Sequence, residues 1–379
     1  LSLRLTPGVA RRVARLRELS FDRPPRPAVA TTDDLRRIAT RQLGKPAVRR
    51  EVRAGDAELK LLGLLGPDES LGAVATDTTA LAAAFYEPRR GRLFVVGDAV
   101  PAGPALTEFV LAHELNHALE DQRCGLPDSP GVSDDASLAE TALVEGAATA
   151  LMTDYAAVHL DPFALAADAA GLDAGTGGLP RFAVEEVEFT YFAGSDFVNA
   201  LRAVTGDWKL VDYAYQERPP ATTEQVLHPE KYLGLEGPLP VDAPAAARGD
   251  WKLLDDGVVG EFATGQILQV GVEDPVAESA ASGWGGDAYR LWRVGRGDGG
   301  QCCDSYAMAI RWRWDTLRDA REFERALRSY VRAGLAGDPG RDGTWATVNG
   351  HVAIAVRGAA VGLGFAPAPA AARRIAALG

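Results

Sequence analysis

Two histidines set four apart, His113 and His117, have the clearest capacity for chemistry in this chain of 379 residues. They stand in LAHELNHALEDQ, residues 111–122, a run that reads as amphipathic helix. Four residues is close to one helical turn, so both imidazoles project from the same side. Glu114 lies about 100° further round the helix, where its carboxylate can reach a water on a metal held by the two imidazoles. With five histidines in the whole chain, a chance His-Glu-x-x-His is expected well under roughly once in a hundred such sequences. The chemistry this set supports is hydrolysis, in which a metal activates a water and a carboxylate takes its proton.

A catalytic zinc ion takes three protein ligands and keeps one position open, so a third ligand must come from another element. LAETALVEGAATALMTDY, residues 138–155, is a second helix-like run, opened by the capping candidates Ser133 and Asp134. It offers Glu140 and Glu145. Five residues apart, they sit roughly 140° from each other on a helix, so only one can face the first helix squarely. Glu145 is preferred, because Gly146, Ala147 and Ala148 would let two helix backbones come close. The expected centre is one Zn2+ on His113, His117 and Glu145, with Glu114 as general base.

At these residues a resemblance enters. The two histidines followed by a glutamate on the next helix resemble the gluzincin group of metallopeptidases, of which thermolysin is the familiar member. HELNHALEDQ, LVEGAAT, RPPATTEQVLHPEKY (218–232) and GWGGDAY (283–289) are similar to a group of bacterial metallopeptidases, from about residue 60 to about residue 330. The resemblance implies a zincin-like catalytic core and a peptide or protein substrate. Gluzincins also place a histidine or tyrosine beyond the third ligand to stabilise the oxyanion. His228 is the histidine in that position, with Tyr213, Tyr215 and Tyr232 as phenolic alternatives. Thr222 and Gln225 match a capping box, so a short helix should start there and stop at Pro229, leaving His228 at its end as donor or as loop fastener. YFAGSDFVNALRAVTGDW (191–208) resembles the helical lower half of gluzincins, with core the favoured reading of Phe197 and Tyr191 left between core and function. Two departures stand out: the interval from His117 to Glu145 is longer, and Thr149 occupies the place of an acid that steadies a zinc histidine. Asp121, one turn beyond His117, is either that ligand's orienting carboxylate or surface charge.

Several elements must position these residues. The first metal helix should begin near Pro104 to Thr107 and bury Leu111, Leu115 and Ala118 on the side away from the histidines. Before it, residues 81–96 read as two strands about a turn, giving either an edge strand for an extended peptide or an interior strand. Residues 1–70 read as helices broken at FDRPPRP, with a second start at Thr32 running to Leu43, and carry no chemistry. Residues 233–250 read as a linker. Beyond it, 251–282 are expected as helix, YRLWRV, YAMAIRWRW, TWATV and VAIAV as strands, and 319–331 as an amphipathic helix before a terminal one. GWGGDAY is expected to shape a loop, and His351 to be structural. The fold class is therefore α+β and predominantly helical. Residues 1–70 form an N-terminal helical region, 71–235 the catalytic core, and 236–379 an α+β module packed on it.

Composition narrows the partners. Net charge −12 and pI near 5.0, without a basic stripe, argue against nucleic acid. No run of 18 apolar residues marks a membrane span. Cys124, Cys302 and Cys303 are too few for a disulfide scaffold and lack zinc-cluster spacing. The start at Leu1 has no signal-peptide core, yet the family resemblance and the acidic surface favour an exported protein whose leader lies upstream. Two other functions compete with the peptidase: a zincin-like protein that binds without turnover, disfavoured because Glu114 has no use in mere binding, and a zinc hydrolase of a non-peptide substrate.

Overall fold

The computed structural model describes residues 2–97, 103–127, 132–170, 176–296 and 304–378. Cys302 and Cys303 lie outside the described residues. The chain is a mixed α and β protein in which helix predominates, consistent with the α+β class.

Helices α1 (Ser2–Leu16), α2 (Thr32–Leu43), α3 (Pro46–Leu62) and α4 (Leu71–Ala80) open the chain, interrupted by strand β1 (Ala28–Ala30). Helix α2 starts at the expected residue because Thr31 and Asp34 close a reciprocal capping box. The first 70 residues have no single core of their own. Val9, Ala10 and Val13 of α1 pack with Leu111, Leu115, Leu143 and Leu151, whereas Ala57, Leu61 and Leu62 of α3 join a second cluster on the C-terminal sheet.

Strands β2 (Ala84–Glu87) and β3 (Arg92–Val96) form the expected hairpin. Gly91, at φ 56, closes its turn in the left-handed region where a Cβ is penalised. The three-stranded sheet has the order β1-β3-β2, so β2 is an edge, and β1, unforeseen in the proline-rich stretch, runs parallel to β3.

The helical layer follows: α5 (Pro104–Arg123), α6 (Asp134–His159), α7 (Pro162–Ala169), α8 (Arg181–Glu188), a five-residue π turn (Phe189–Ala193), α9 (Gly194–Thr205), α10 (Lys209–Gln216), α11 (Thr223–Leu227) and α12 (Pro229–Leu233). Thr222 caps α11 by accepting from Gln225 N–H, and the helix ends at His228 before Pro229.

The remainder comprises β4 (Lys252–Gly257), α13 (Gly260–Gln269), α14 (Asp274–Ala281), β5 (Trp284–Arg296), β6 (Asp304–Trp314), α15 (Leu317–Ser329), β7 (Asp338–Pro339), β8 (Thr344–Thr347), β9 (Gly350–Arg357), β10 (Ala360–Ala366) and α16 (Pro369–Ala376). Its seven strands pair antiparallel in the order β4-β5-β6-β10-β9-β8-β7. Side chains alternate across the sheet. On β6, Met308, Ile310 and Trp312 face the cluster with α13 and α15, while Ala307 and Ala309 face α16 with Trp292 and Ile375. Two expectations change here. KLLDDG is the edge strand β4 rather than the start of a helix, because it is held by its ladder to β5 and not by an apolar stripe. GWGGDAY opens β5 rather than forming a loop: Asp287 accepts from the Val259 and Gly260 N–H groups at 2.8 Å each and from the Trp284 indole at 2.9 Å.

Candidate metal centre

Helix α5 starts at Pro104, whose missing N–H costs nothing in a first turn. From Leu111 to Glu120 every residue is buried, so the expected stripe of Leu111, Leu115 and Ala118 is one side of a helix enclosed all round. Helices α1 and α6 and strand β2 supply the enclosure. Helix α6 starts with Ser133 accepting from the Ala136 N–H.

The two helices bring His113, His117 and Glu145 together, with their ligand-capable atoms within 4.8 Å of one another. His117 Nε2 is 3.0 Å from His113 Nε2, and Glu145 Oε2 is 3.1 Å from the first imidazole and 3.5 Å from the second. Tetrahedral coordination at zinc bond lengths separates neighbouring ligand atoms by about 3.3 Å. The donor set and its spacing therefore fit a zinc ion. Glu140 is not in this group; it lies on another side of α6, lining a surface cleft with Asp121 and Glu87.

Electrostatics within the cluster follow from proximity. Burial opposes a charge on His117, but Glu145 beside it outweighs that and pushes the imidazole up to about 9. Burial likewise penalises the Glu145 carboxylate, and the two imidazoles hold it well below its usual range. Glu114 is raised by burial, against the pull of His113 and His117.

The outer nitrogens of the two imidazoles have no protein partner. Both Nδ1 atoms and Thr149 Oγ1 are buried without a protein hydrogen bond. Asp121 is committed elsewhere, accepting from the Tyr86 hydroxyl at 2.7 Å, so it does not orient His117.

Tyr191 is the site residue that sequence reasoning left between core and function. Its ring stacks on His113 at 5.4 Å with planes 3° apart. Burial together with the nearby Glu145 and Glu114 carboxylates keeps the phenol protonated far above its usual range. It sits in the π turn, a widened helical turn frequent at functional sites. Close packing fixes that turn: a Cβ on Gly146 would lie 2.1 Å from the Gly194 carbonyl carbon, and one on Gly194 would lie 2.1 Å from Ala142 O. Gly146 therefore admits α9, not α5.

His228 lies apart from the cluster, in a cleft on the other side of the π turn. Its Nε2 pairs with Glu261 Oε1 at 2.9 Å, and it shares a cleft with Phe189 and Phe192 of the π turn. The other phenols are committed: Tyr215 donates to Glu120 at 2.5 Å and Tyr232 to Arg218 O at 2.7 Å, while Tyr213 is exposed. Phe197 is fully buried core, and His351 is half-buried in β9. A second convergence of carboxylates among the described residues, Glu224, Glu236 and Asp315, closes on the Lys231 ammonium at 2.6, 3.0 and 2.8 Å, so a cation is already supplied.

Among the described residues no helix is long and apolar enough to cross a membrane. No curated protein and no solved structure matches the chain. Residues 252–376 match a family described as a domain of unknown function, DUF8575, a segment that runs from β4 to α16 and does not include the helices carrying His113, His117 and Glu145.

Proposed function

We propose that this chain is a gluzincin-type zinc peptidase with a zincin-like core, hydrolysing peptide bonds at the centre built from α5, α6 and the π turn. The observation that carries the reading is the convergence of His113, His117 and Glu145 at ligand spacing beside a buried glutamate and a protonated tyrosine. A zinc ion held by those three side chains would supply a Lewis acid and lower the pKa of water at the site towards about 7. Glu114, raised by burial, takes one proton from the attacking water as its oxygen bonds the peptide carbon. When the carbon–nitrogen bond breaks, Glu114 returns that proton to the leaving amine. Tyr191, stacked on His113, donates its hydroxyl hydrogen to the oxyanion. The oxyanion role expected of His228 is weaker on this geometry, because Glu261 holds its Nε2.

Glu114→Gln tests the mechanism. The amide preserves shape but cannot take a proton, so the variant should bind zinc with unchanged stoichiometry and lose hydrolysis of a mixed peptide library. A Gln variant that still cleaves at the parent rate removes Glu114 from the mechanism. Full zinc occupancy in the parent with no cleavage favours the non-catalytic alternative.

A further inference from the structure

The π turn has a second side. While Tyr191 meets His113 and Glu145, its neighbours Phe189 and Phe192 line a cleft of about 700 Å3 that His228 and Glu261 also line. That volume is within the range of sites for small organic groups. Phe189 stacks on Phe262 at 4.3 Å, and Phe192 is 65 % exposed, an apolar surface for which the fold gives no cover.

Charge in the cleft is unbalanced. Arg181 is answered twice, by Glu185 at 2.6 Å and Asp274 at 2.7 Å. His228 is answered by Glu261 Oε1 at 2.9 Å and, more distantly, by Glu230 at 3.8 Å. The other oxygen of Glu261, Oε2, receives no hydrogen bond, although Glu261 is only 4 % exposed. Glu188 and Glu278 stand exposed at the rim. A buried carboxylate oxygen without a donor is costly, and an aromatic wall beside it favours a cation carried on an apolar stem. These acids do not converge at metal-ligand spacing, as the two triads described above do, so the cleft suits an extended organic cation rather than a bare ion.

We propose that this cleft is a specificity subsite for the cationic side chain of a lysine or arginine in the peptide substrate. The methylene stem lies on Phe189 and Phe192, and the charged head is directed to Glu261 between the rim carboxylates Glu188 and Glu278. One part rests on the peptidase reading, namely that the subsite serves a bond held at the metal one residue along the π turn; recognition of the cation does not.

The test uses the zinc-loaded Glu114→Gln chain, which holds peptide without turnover, titrated calorimetrically with paired short peptides differing only in arginine or citrulline. Arginine should bind about ten- to a hundredfold more tightly, the worth of a charge-assisted hydrogen bond. Adding Glu261→Gln should erase that preference. Should Glu261→Gln disturb the fold by releasing His228, the surface pair Glu188→Gln and Glu278→Gln should reduce it several-fold with the fold intact. Equal binding of the two peptides, binding of neither, or a preference unmoved in both variant chains overturns the subsite. Arginine preference with no cleavage by the parent enzyme leaves the cationic site standing and removes the peptidase reading, so the two failures are distinguishable.

Discussion

Gly146→Ala sets two opposed effects of known size against each other. In a helix interior alanine is favoured over glycine by about 1 kcal/mol through backbone entropy alone. Against that, the added Cβ would lie 2.1 Å from Gly194 C, 2.3 Å from its oxygen and 2.7 Å from its Cα, where carbon atoms prefer about 3.5–4.0 Å. All three are backbone atoms, so no side chain can rotate away and α9 must move. Overpacking with this little freedom costs about 1–3 kcal/mol or more, and the clash wins. Gly8→Ala is the matched control, since it lies within α1 with nothing within 4 Å of its built Cβ; there the entropy gain should appear undiluted. Urea unfolding of both variants with chelator present should lower the midpoint for Gly146→Ala and raise it for Gly8→Ala. Zinc affinity of Gly146→Ala should fall as well, because Glu145 is its neighbour and Tyr191 rides on the displaced turn. Equal stabilisation by both substitutions would refute the α6–α9 contact as the constraint that sets the centre.

Three further outcomes are expected. Glu145→Ala should weaken zinc binding by orders of magnitude in chelator competition, and Glu140→Ala should leave it near the parent value, because only Glu145 converges with the histidines; the reverse result moves the third ligand. Tyr191→Phe should lower turnover by roughly a hundredfold with zinc retained, the scale of one lost oxyanion donor, while His228→Ala lowers it much less; comparable losses restore His228 to the oxyanion. Asp135 is buried, accepts from the Thr223 N–H at 3.1 Å, and is pushed by burial up to about 7. Its unfolded value is about 3.9, so the folded state binds the proton more tightly. Its stabilising contribution is complete below that value and is lost as pH rises towards 7. Asp135→Asn should flatten the decline of unfolding free energy between about pH 4 and 7, and an unchanged slope would refute the assignment.

The amino-acid order alone carries local periodicity and local chemistry. The four-residue spacing of His113 and His117 makes two imidazoles share a helix face wherever that helix lies, and the turn chemistry at Thr31 and Thr222 starts α2 and α11. The strands rich in aromatic and branched residues, β5 and β6, are legible for the same reason. Legibility fails where the deciding partner is distant in the chain. KLLDDG has no pattern of its own and becomes β4 by pairing with β5. The glycines at 362 and 364 of β10 dilute a strand signal because α16 crosses them closely, with Ala376 O and Ala372 O at 2.2 and 2.5 Å from their built Cβ positions. At the centre, sequence could name Glu145 over Glu140 but attributed Gly146 to the wrong contact, since nothing local says that α9 rather than α5 will lie against it. Tyr191 reads as an ordinary core aromatic until the π turn and the Gly146–Gly194 approach aim it at His113 and Glu145. Which residues can coordinate is a property of the chain; which of them meet is set by helix packing, because a contact between elements depends on surfaces tens of residues apart.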